Sequence, residues 1–152
     1  MAWCSGRGLR LNPEFKQCLE NKKIIPFEHG SKLVKKEISI AQSDLSDAKA
    51  GYENQRYKWS TIQAYYAMFH AARALIFFKG YREKSHYCLG VALRALFVDE
   101  GKLETRSVRD FINAMNLREA ADYEADFSEP GAKAVIAAAE RFIEKAIDIL
   151  KL

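Results

Sequence analysis

Arg118 and Asp122 form a charged pair on a predicted helical face that is otherwise apolar. They lie four residues apart and continue a series, Val108, Phe111 and Met115, that recurs at steps of three and four. A charge that is buried without a partner is costly, so such a pair must serve either packing or binding. Either the two side chains form a structural ion pair, or the Arg118 guanidinium binds two oxygens of a phosphate.

Three further residues have side chains that could bind an anion. Arg73 lies in an aromatic-rich segment, where its stem could pack on the core while its charge reaches a cleft. His86 follows Lys84 and Ser85 and falls in the first turn of a predicted helix, where free backbone amides attract anions. The alternative to anion binding is that Arg73 is an ordinary surface arginine and that His86 only caps its helix or packs against the core.

No metal or cofactor site is predicted. His70 and Tyr66 lie four residues apart, but no carboxylate or cysteine stands beside this histidine in the sequence. The sequence also lacks a Gly-rich phosphate loop, a Gly-x-Ser-x-Gly elbow and a paired-histidine zinc motif. Tyr65 and Tyr66 either stack on bases or, as is commoner for an aromatic pair in an apolar helix, belong to the core.

The elements that must position these residues are helices, because the apolar residues recur at the helical period and no β-strand alternation is visible. Short connections favour antiparallel neighbours, so the predicted fold is all-α, an antiparallel up-and-down bundle with short accessory helices. We expect an N-terminal extension with a short helix at 1–28 and the bundle at 29–152. Six helices are predicted. The first begins at Asn12-Pro13-Glu14 and ends before Ile24-Ile25-Pro26. The other five run from Ser31 to Gly51, from about Gln55 to Gly80, from Ser85 to Asp99-Glu100-Gly101, from Thr105 through Asp122, and from Ser128-Glu129-Pro130 to the end.

Composition and charge narrow the class of protein. Hydrophobic residues make up 49% and charged residues 29%, as in globular chains, and a net charge of +4 permits a phosphate-bearing partner without establishing one. No secretory signal pattern or long apolar segment is present, so we expect a cytoplasmic protein without a membrane partner. Cys4, Cys18 and Cys88 lack close paired spacing, and we expect reduced thiols that fill apolar space.

Two segments together resemble the HEPN domains (higher eukaryotes and prokaryotes nucleotide-binding). AYYAMFHAARALIFFKGYREKSHYCL, from Ala64 to Leu89, is similar to the central helix of that family and the turn that follows it. LREAADYEADFSEPGAKAVIAAAERFIEKAIDIL, from Leu117 to Leu150, is similar to its Arg-x-x-x-Asp-Tyr element and closing helix. With the helix that begins at Ser31, the similarity covers most of the chain.

The resemblance implies a bundle of four to five helices, commonly a homodimer, that is often encoded beside a minimal nucleotidyltransferase. In such pairs the HEPN protein can be a ribonuclease toxin and the nucleotidyltransferase its antitoxin. Active members carry an arginine followed, after four to six residues, by a histidine. Arg118 matches that arginine, but Tyr123 stands where the histidine is expected, and an unperturbed tyrosine, with a pKa of about 10, is a poor base at neutral pH.

Three functions therefore remain open. The first is a HEPN protein that binds nucleotide or RNA phosphate and acts with a nucleotidyltransferase, without being an active ribonuclease. The second is a divergent metal-independent ribonuclease toxin, and the third is a purely structural dimerisation module. A nucleotidyltransferase partner could also adenylylate Tyr123. Catalysis would use Arg118, Asp122 and Tyr123, with help from His86, and phosphate binding would use Arg118, Tyr123, Arg73, Lys84 and His86.

Overall fold

The computed structural model describes residues 12–152, and the fold in this range is an all-α bundle. Four long helices form its body, and two shorter helices and a two-stranded sheet pack beside them. The all-α prediction is confirmed. The elements are α1 (Pro13–Glu20), β1 (Ile24–Pro26), α2 (Gly30–Glu53), α3 (Tyr57–Phe78), β2 (Tyr81–Glu83), α4 (His86–Leu93, continued by a π-helical segment Arg94–Val98), α5 (Thr105–Tyr123) and α6 (Glu129–Leu150).

The predicted helix caps are confirmed at three N-termini. The side chains of Asn12, Ser85 and Ser128 each accept a hydrogen bond from a backbone N–H in the first turn of the helix that follows. Each of these caps satisfies a donor that the helix itself leaves unpaired. Ser85 thereby sets the position of His86, the first residue of α4.

Helix α3 lies at the centre of the bundle and packs against α2, α5 and α6. Its alanines are fully buried, and their small side chains allow the neighbouring helices to approach closely. The resulting core is continuous from α1 to α6. Between Ser60 and Phe77 of α3, the partly accessible residues are Gln63, Tyr66, His70 and Arg73, which recur at steps of three and four and form a stripe that carries the candidate site.

The expectation of no β-strand is wrong for one short pair. Ile24 in β1 pairs with Glu83 in β2, and Pro26 pairs with Tyr81, in an antiparallel register. Strands of three residues are too short for an alternating pattern to be recognised in the sequence. Glu83 is consequently held in a buried position beside α3.

Helix α2 continues past Gly51, which was the predicted end. It closes only at Asn54, before Gln55 adopts a left-handed backbone conformation with φ of 61°. Gly51 instead faces the start of α3, where a Cβ atom added to it would lie 3.7 Å from the Cβ of Ser60. A Cβ at that distance would make an ordinary contact, and Gly51 does not have a positive φ, so this glycine neither ends α2 nor is required by its packing.

The cysteine prediction is wrong for two of the three residues. Cys18 in α1 and Cys88 in α4 form a disulfide with a Cα–Cα distance of 5.9 Å, although 70 residues separate them in the sequence. Both side chains are buried, as expected for apolar fillers, and Cys4 lies outside the described residues. The disulfide joins α1 to the first turn of α4, two residues after His86.

Among the described helices, none combines the length and the apolar character that a membrane crossing requires.

Candidate functional site

Arg118 is enclosed by aromatic and acidic side chains where α5 meets α3. Its Nη2 donates a hydrogen bond to the hydroxyl of Tyr66 at 2.9 Å and lies 3.1 Å from Oδ2 of Asp122. Its Cζ atom lies 5.2 Å from the ring centre of Tyr66 and 5.4 Å from that of Tyr123. The predicted ion pair with Asp122 therefore exists, and two tyrosine rings contact the same guanidinium through cation–π interactions.

The guanidinium of Arg118 retains one donor that the fold of the described residues does not use. Its side chain is 13% exposed, and within residues 12–152 its Nε is a buried donor that has no hydrogen-bond partner. Unpaired buried donors are rare in folded proteins, and the hydrogen bond to Tyr66 and the ion pair with Asp122 leave this one unsatisfied. Tyr123, at 73% exposure, leaves one side of the cluster open to solvent.

His86 contributes a second polar group to this region from α4. Its Nδ1 lies 2.6 Å from the hydroxyl of Tyr65, and its ring stacks on Phe69 with the ring centres 4.6 Å apart. Tyr65 is fully buried, and burial raises the pKa of its hydroxyl far above the usual range, so Tyr65 stays protonated. A buried O–H needs an acceptor, and the hydroxyl is paired with Nδ1 of His86, which assigns the donor role to Tyr65 and the acceptor role to Nδ1. The neutral ring of His86 then carries its proton on Nε2, which is a hydrogen-bond donor.

The pKa of His86 is lowered from its ordinary value. Burial is the main cause, because it disfavours the charged imidazolium, and the positive charge of Arg118 lowers the pKa further. His86 is therefore neutral at physiological pH. The fold thus places a neutral histidine within electrostatic range of Arg118, although the two residues belong to different helices.

Arg73 lies farther along α3, and its guanidinium is paired with carboxylates. Its Nε and Nη2 donate to the two carboxylate oxygens of Glu83 at 2.8 and 3.0 Å, and its Nη1 lies 3.8 Å from Glu37. The guanidinium also stands over the ring of Phe69 at 4.6 Å. Lys84 is exposed, and its backbone N–H donates to the carbonyl of Lys23. The predicted phosphate roles of Arg73 and Lys84 therefore stay predictions, with Arg73 already paired.

His70 has acidic neighbours that the sequence did not reveal. Its Nδ1 lies 2.6 Å from Oε2 of Glu37, and its Nε2 lies 3.8 Å from Oδ2 of Asp44. Both carboxylates come from α2, more than 25 residues away along the chain. No group of three or more His, Cys, Asp and Glu residues suited to a metal ion occurs in the described part of the chain.

The ring of Phe69 connects His86 with His70. Its ring contacts His86 on one side and His70 on another, with ring centres 4.6 and 5.4 Å apart, and it also contacts Tyr66 at 5.9 Å. The stripe of Tyr66, His70 and Arg73 at steps of four and three was a signal in the sequence for this surface. We use the name polar stripe for the cluster of Tyr66, Phe69, His70, His86 and Arg118, in which residues of α3 are joined by His86 from α4 and Arg118 from α5.

Comparison with known proteins identifies the family. The model of the HEPN domain matches residues 34–150, which include every residue of the polar stripe. The chain belongs to the HEPN family. The resemblance inferred from the segments around Tyr65-Tyr66 and Arg118 is thereby confirmed, whereas α1 lies before the matched HEPN region.

Three relatives support the HEPN assignment. "Putative toxin MJ0605" of Methanocaldococcus jannaschii is 37% identical over 115 residues, which cover 75% of this chain and 86% of the relative. A "UPF0332 protein" of Thermotoga maritima is 32% identical over 116 residues, covering 73% and 88%. "UPF0332 protein PH1297" of Pyrococcus horikoshii is 38% identical over 71 residues, which are half of its length.

Proposed function

We propose that this HEPN protein is toxin-like and binds RNA or a nucleotide through a phosphate held by Arg118. The observation that carries the proposal is the position of the Arg118 guanidinium, which contacts the rings of Tyr66 and Tyr123 and whose side chain stays 13% exposed beside the largely exposed Tyr123. A guanidinium binds phosphate with parallel N–H donors, and a preformed position lowers the entropy lost on binding.

The surroundings of Arg118 support a nucleotide rather than an inorganic anion. Tyr123 is largely exposed beside the guanidinium, where its ring can stack on a base. His86, protonated on Nε2, provides a neutral donor for a phosphate or ribose oxygen. Positive charge, an exposed aromatic ring and neutral donors together are typical of sites that bind single-stranded nucleic acid.

The toxin part of the proposal is supported by a relative. The Methanocaldococcus jannaschii protein is named a putative toxin, and the similar region spans most of its length. We further propose a cytoplasmic homodimer that a nucleotidyltransferase neutralises, as the HEPN family resemblance implies. Growth arrest on expression of this chain alone, relieved by co-expression of a nucleotidyltransferase from the same gene neighbourhood, would support this pairing.

Binding is tested by titrating a short fluorescent single-stranded RNA, and separately ATP, into purified protein. Arg118→Ala should weaken the affinity at least about 10-fold, which corresponds to about 1.4 kcal/mol. Arg109→Ala is the matched control, because Arg109 is an exposed arginine on the same helix. Equal weakening by both variants would show non-specific charge attraction, and no binding by the wild type would favour a purely structural dimerisation module.

A second candidate function is metal-independent cleavage of RNA, and the observation in its favour is the position of His86. The motif histidine expected after Arg118 is absent, yet α4 brings a histidine close enough for the charge of Arg118 to lower its pKa. Incubation of RNA with the protein in EDTA tests this function. Cleavage that co-purifies with the wild type and is lost in folded Arg118→Ala protein is the expected result.

A further inference from the structure

We propose that His70, oriented by Glu37, is the proton acceptor for RNA cleavage at the polar stripe. This inference rests on the proposed binding of RNA at Arg118 and names the residue that activates the 2′-hydroxyl. It differs from the arrangement expected from sequence, in which Asp122, Tyr123 or His86 would take that proton.

The orientation of His70 is fixed by a buried carboxylate. Glu37 is 8% exposed, and Arg73 Nη1 lies 3.8 Å from its other carboxylate oxygen, which helps to fix the carboxylate opposite the imidazole. Because Glu37 accepts the hydrogen bond from Nδ1 at 2.6 Å, the neutral imidazole carries its proton there and keeps the lone pair on Nε2. A base oriented by a carboxylate on its other nitrogen is a recurrent arrangement in hydrolytic sites.

His86 is a poorer candidate for the base. Its Nδ1 already accepts a hydrogen bond from buried Tyr65, so the neutral ring has its proton on Nε2 and offers a donor there. The two histidines therefore have complementary roles: Nε2 of His70 accepts a proton, and Nε2–H of His86 donates to a phosphate oxygen. Both rings contact Phe69, which sets their separation.

The location of His70 suits a nucleotide bound at Arg118. His70 and Tyr66 are separated by one turn of α3, about 6 Å along the helix axis, and Tyr66 hydrogen-bonds to Arg118. Nε2 of His70 also lies 3.8 Å from Oδ2 of Asp44, which is too far for a hydrogen bond.

The proposed step balances without a metal ion or another reactant. His70 Nε2 takes the proton of a ribose 2′-hydroxyl, and the 2′-oxygen forms a bond to the adjacent phosphorus. The bond from phosphorus to the 5′-oxygen breaks, and that oxygen takes a proton from solvent. The products are a 2′,3′-cyclic phosphate and a 5′-hydroxyl, and the imidazolium returns its proton to solvent. Arg118 and the Nε2–H of His86 stabilise the negative charge on the phosphoryl oxygens.

The charged groups around His70 define the expected pH dependence. Glu37 and Asp44 face it from α2, Arg73 follows it on α3, and Glu83 reaches Arg73 from β2. Because catalysis needs the neutral imidazole, the rate should fall on the acid side of the profile.

The experiment compares binding and cleavage in the same variants. Affinity is measured with a 2′-O-methyl RNA, which has no free 2′-hydroxyl and cannot be cleaved by this route, and cleavage of the unmodified RNA is measured at single turnover in EDTA. His70→Gln should bind within about 2-fold of the wild type but cleave at least about 100-fold more slowly. His29→Gln, at an exposed histidine, is the matched control and should leave both quantities unchanged.

The outcomes separate this inference from the proposed function. RNA binding without any cleavage by the wild type, or normal cleavage by folded His70→Gln, overturns the role of His70 and leaves the proposed binding intact. Absence of RNA binding overturns the proposed function itself. If His70→Gln does not fold, NMR of the wild type decides, because the uncleavable RNA should shift the His70 ring signals, and unchanged signals contradict the proposal.

Discussion

The hydroxyl of Tyr65 donates a hydrogen bond to Nδ1 of His86 across 2.6 Å, from the centre of α3 to the first turn of α4. This bond fixes which nitrogen of His86 carries the proton, and so it determines what His86 can offer a ligand.

Tyr65→Phe should destabilise the protein by about 1 kcal/mol and weaken RNA binding, because Nδ1 of His86 loses its donor. The imidazole would then be free to change its tautomer. Urea denaturation measures the first effect and RNA titration the second. Proton-detected NMR of the imidazole nitrogens should show a mixture of tautomers in the variant. An unchanged tautomer and an unchanged affinity would show that Tyr65 only fills the core.

The stability of the protein should decrease as the pH falls below the ordinary pKa of histidine, about 6.5. The folded state lowers the pKa of His86, so the unfolded chain binds the proton more readily. The free energy of unfolding therefore rises with pH between the lowered folded pKa and the unfolded value, and this contribution is lost at acid pH. Urea denaturation at several pH values measures the slope, which should be shallower in His86→Gln than in the wild type.

Arg73→Met should destabilise the fold by about 3 kcal/mol, since it leaves the buried carboxylate of Glu83 without its bidentate partner. Glu83 is 6% exposed, so solvent cannot replace the lost hydrogen bonds. The double variant Arg73→Met and Glu83→Met should recover much of the loss, because an apolar pair removes the unpaired charge. Thermal and urea denaturation of the three proteins give the coupling energy. Simple additivity of the two single changes would contradict the pairing.

Cys18→Ser should destabilise the oxidised protein by up to about 4 kcal/mol, because the disulfide to Cys88 closes a long loop in the unfolded chain. When both proteins are measured with reductant, the free energies of unfolding of the wild type and of Cys18→Ser should differ much less. Thiol titration in denaturant provides the check on the bond itself. The chain has three cysteines, so oxidised protein should show one reactive thiol and reduced protein three. Three thiols before reduction would show that the bond is not formed.

The helix boundaries that depend on local chemistry could be predicted. Asn12, Ser85 and Ser128 cap helices in the structure as their types and positions indicated, because a cap involves only residues within one turn. The C-terminal end of α2, predicted at Gly51, and the existence of strand β1 could not be predicted. Gly51 lies inside α2 without a positive φ, and the pairing of Ile24 with Glu83 joins segments that are distant along the chain.

The sequence by itself determined the helical class, the HEPN family, and the Arg118–Asp122 pair, since residues four apart on one helix meet whatever surrounds them. The tertiary structure alone decided which groups join that pair. The Tyr65–His86 bond, the Glu37–His70 contact and the Cys18–Cys88 disulfide link residues 21, 33 and 70 positions apart. Helical periodicity identifies the face of each helix that is buried, but the depth and rotation at which two helices pack depend on the whole core.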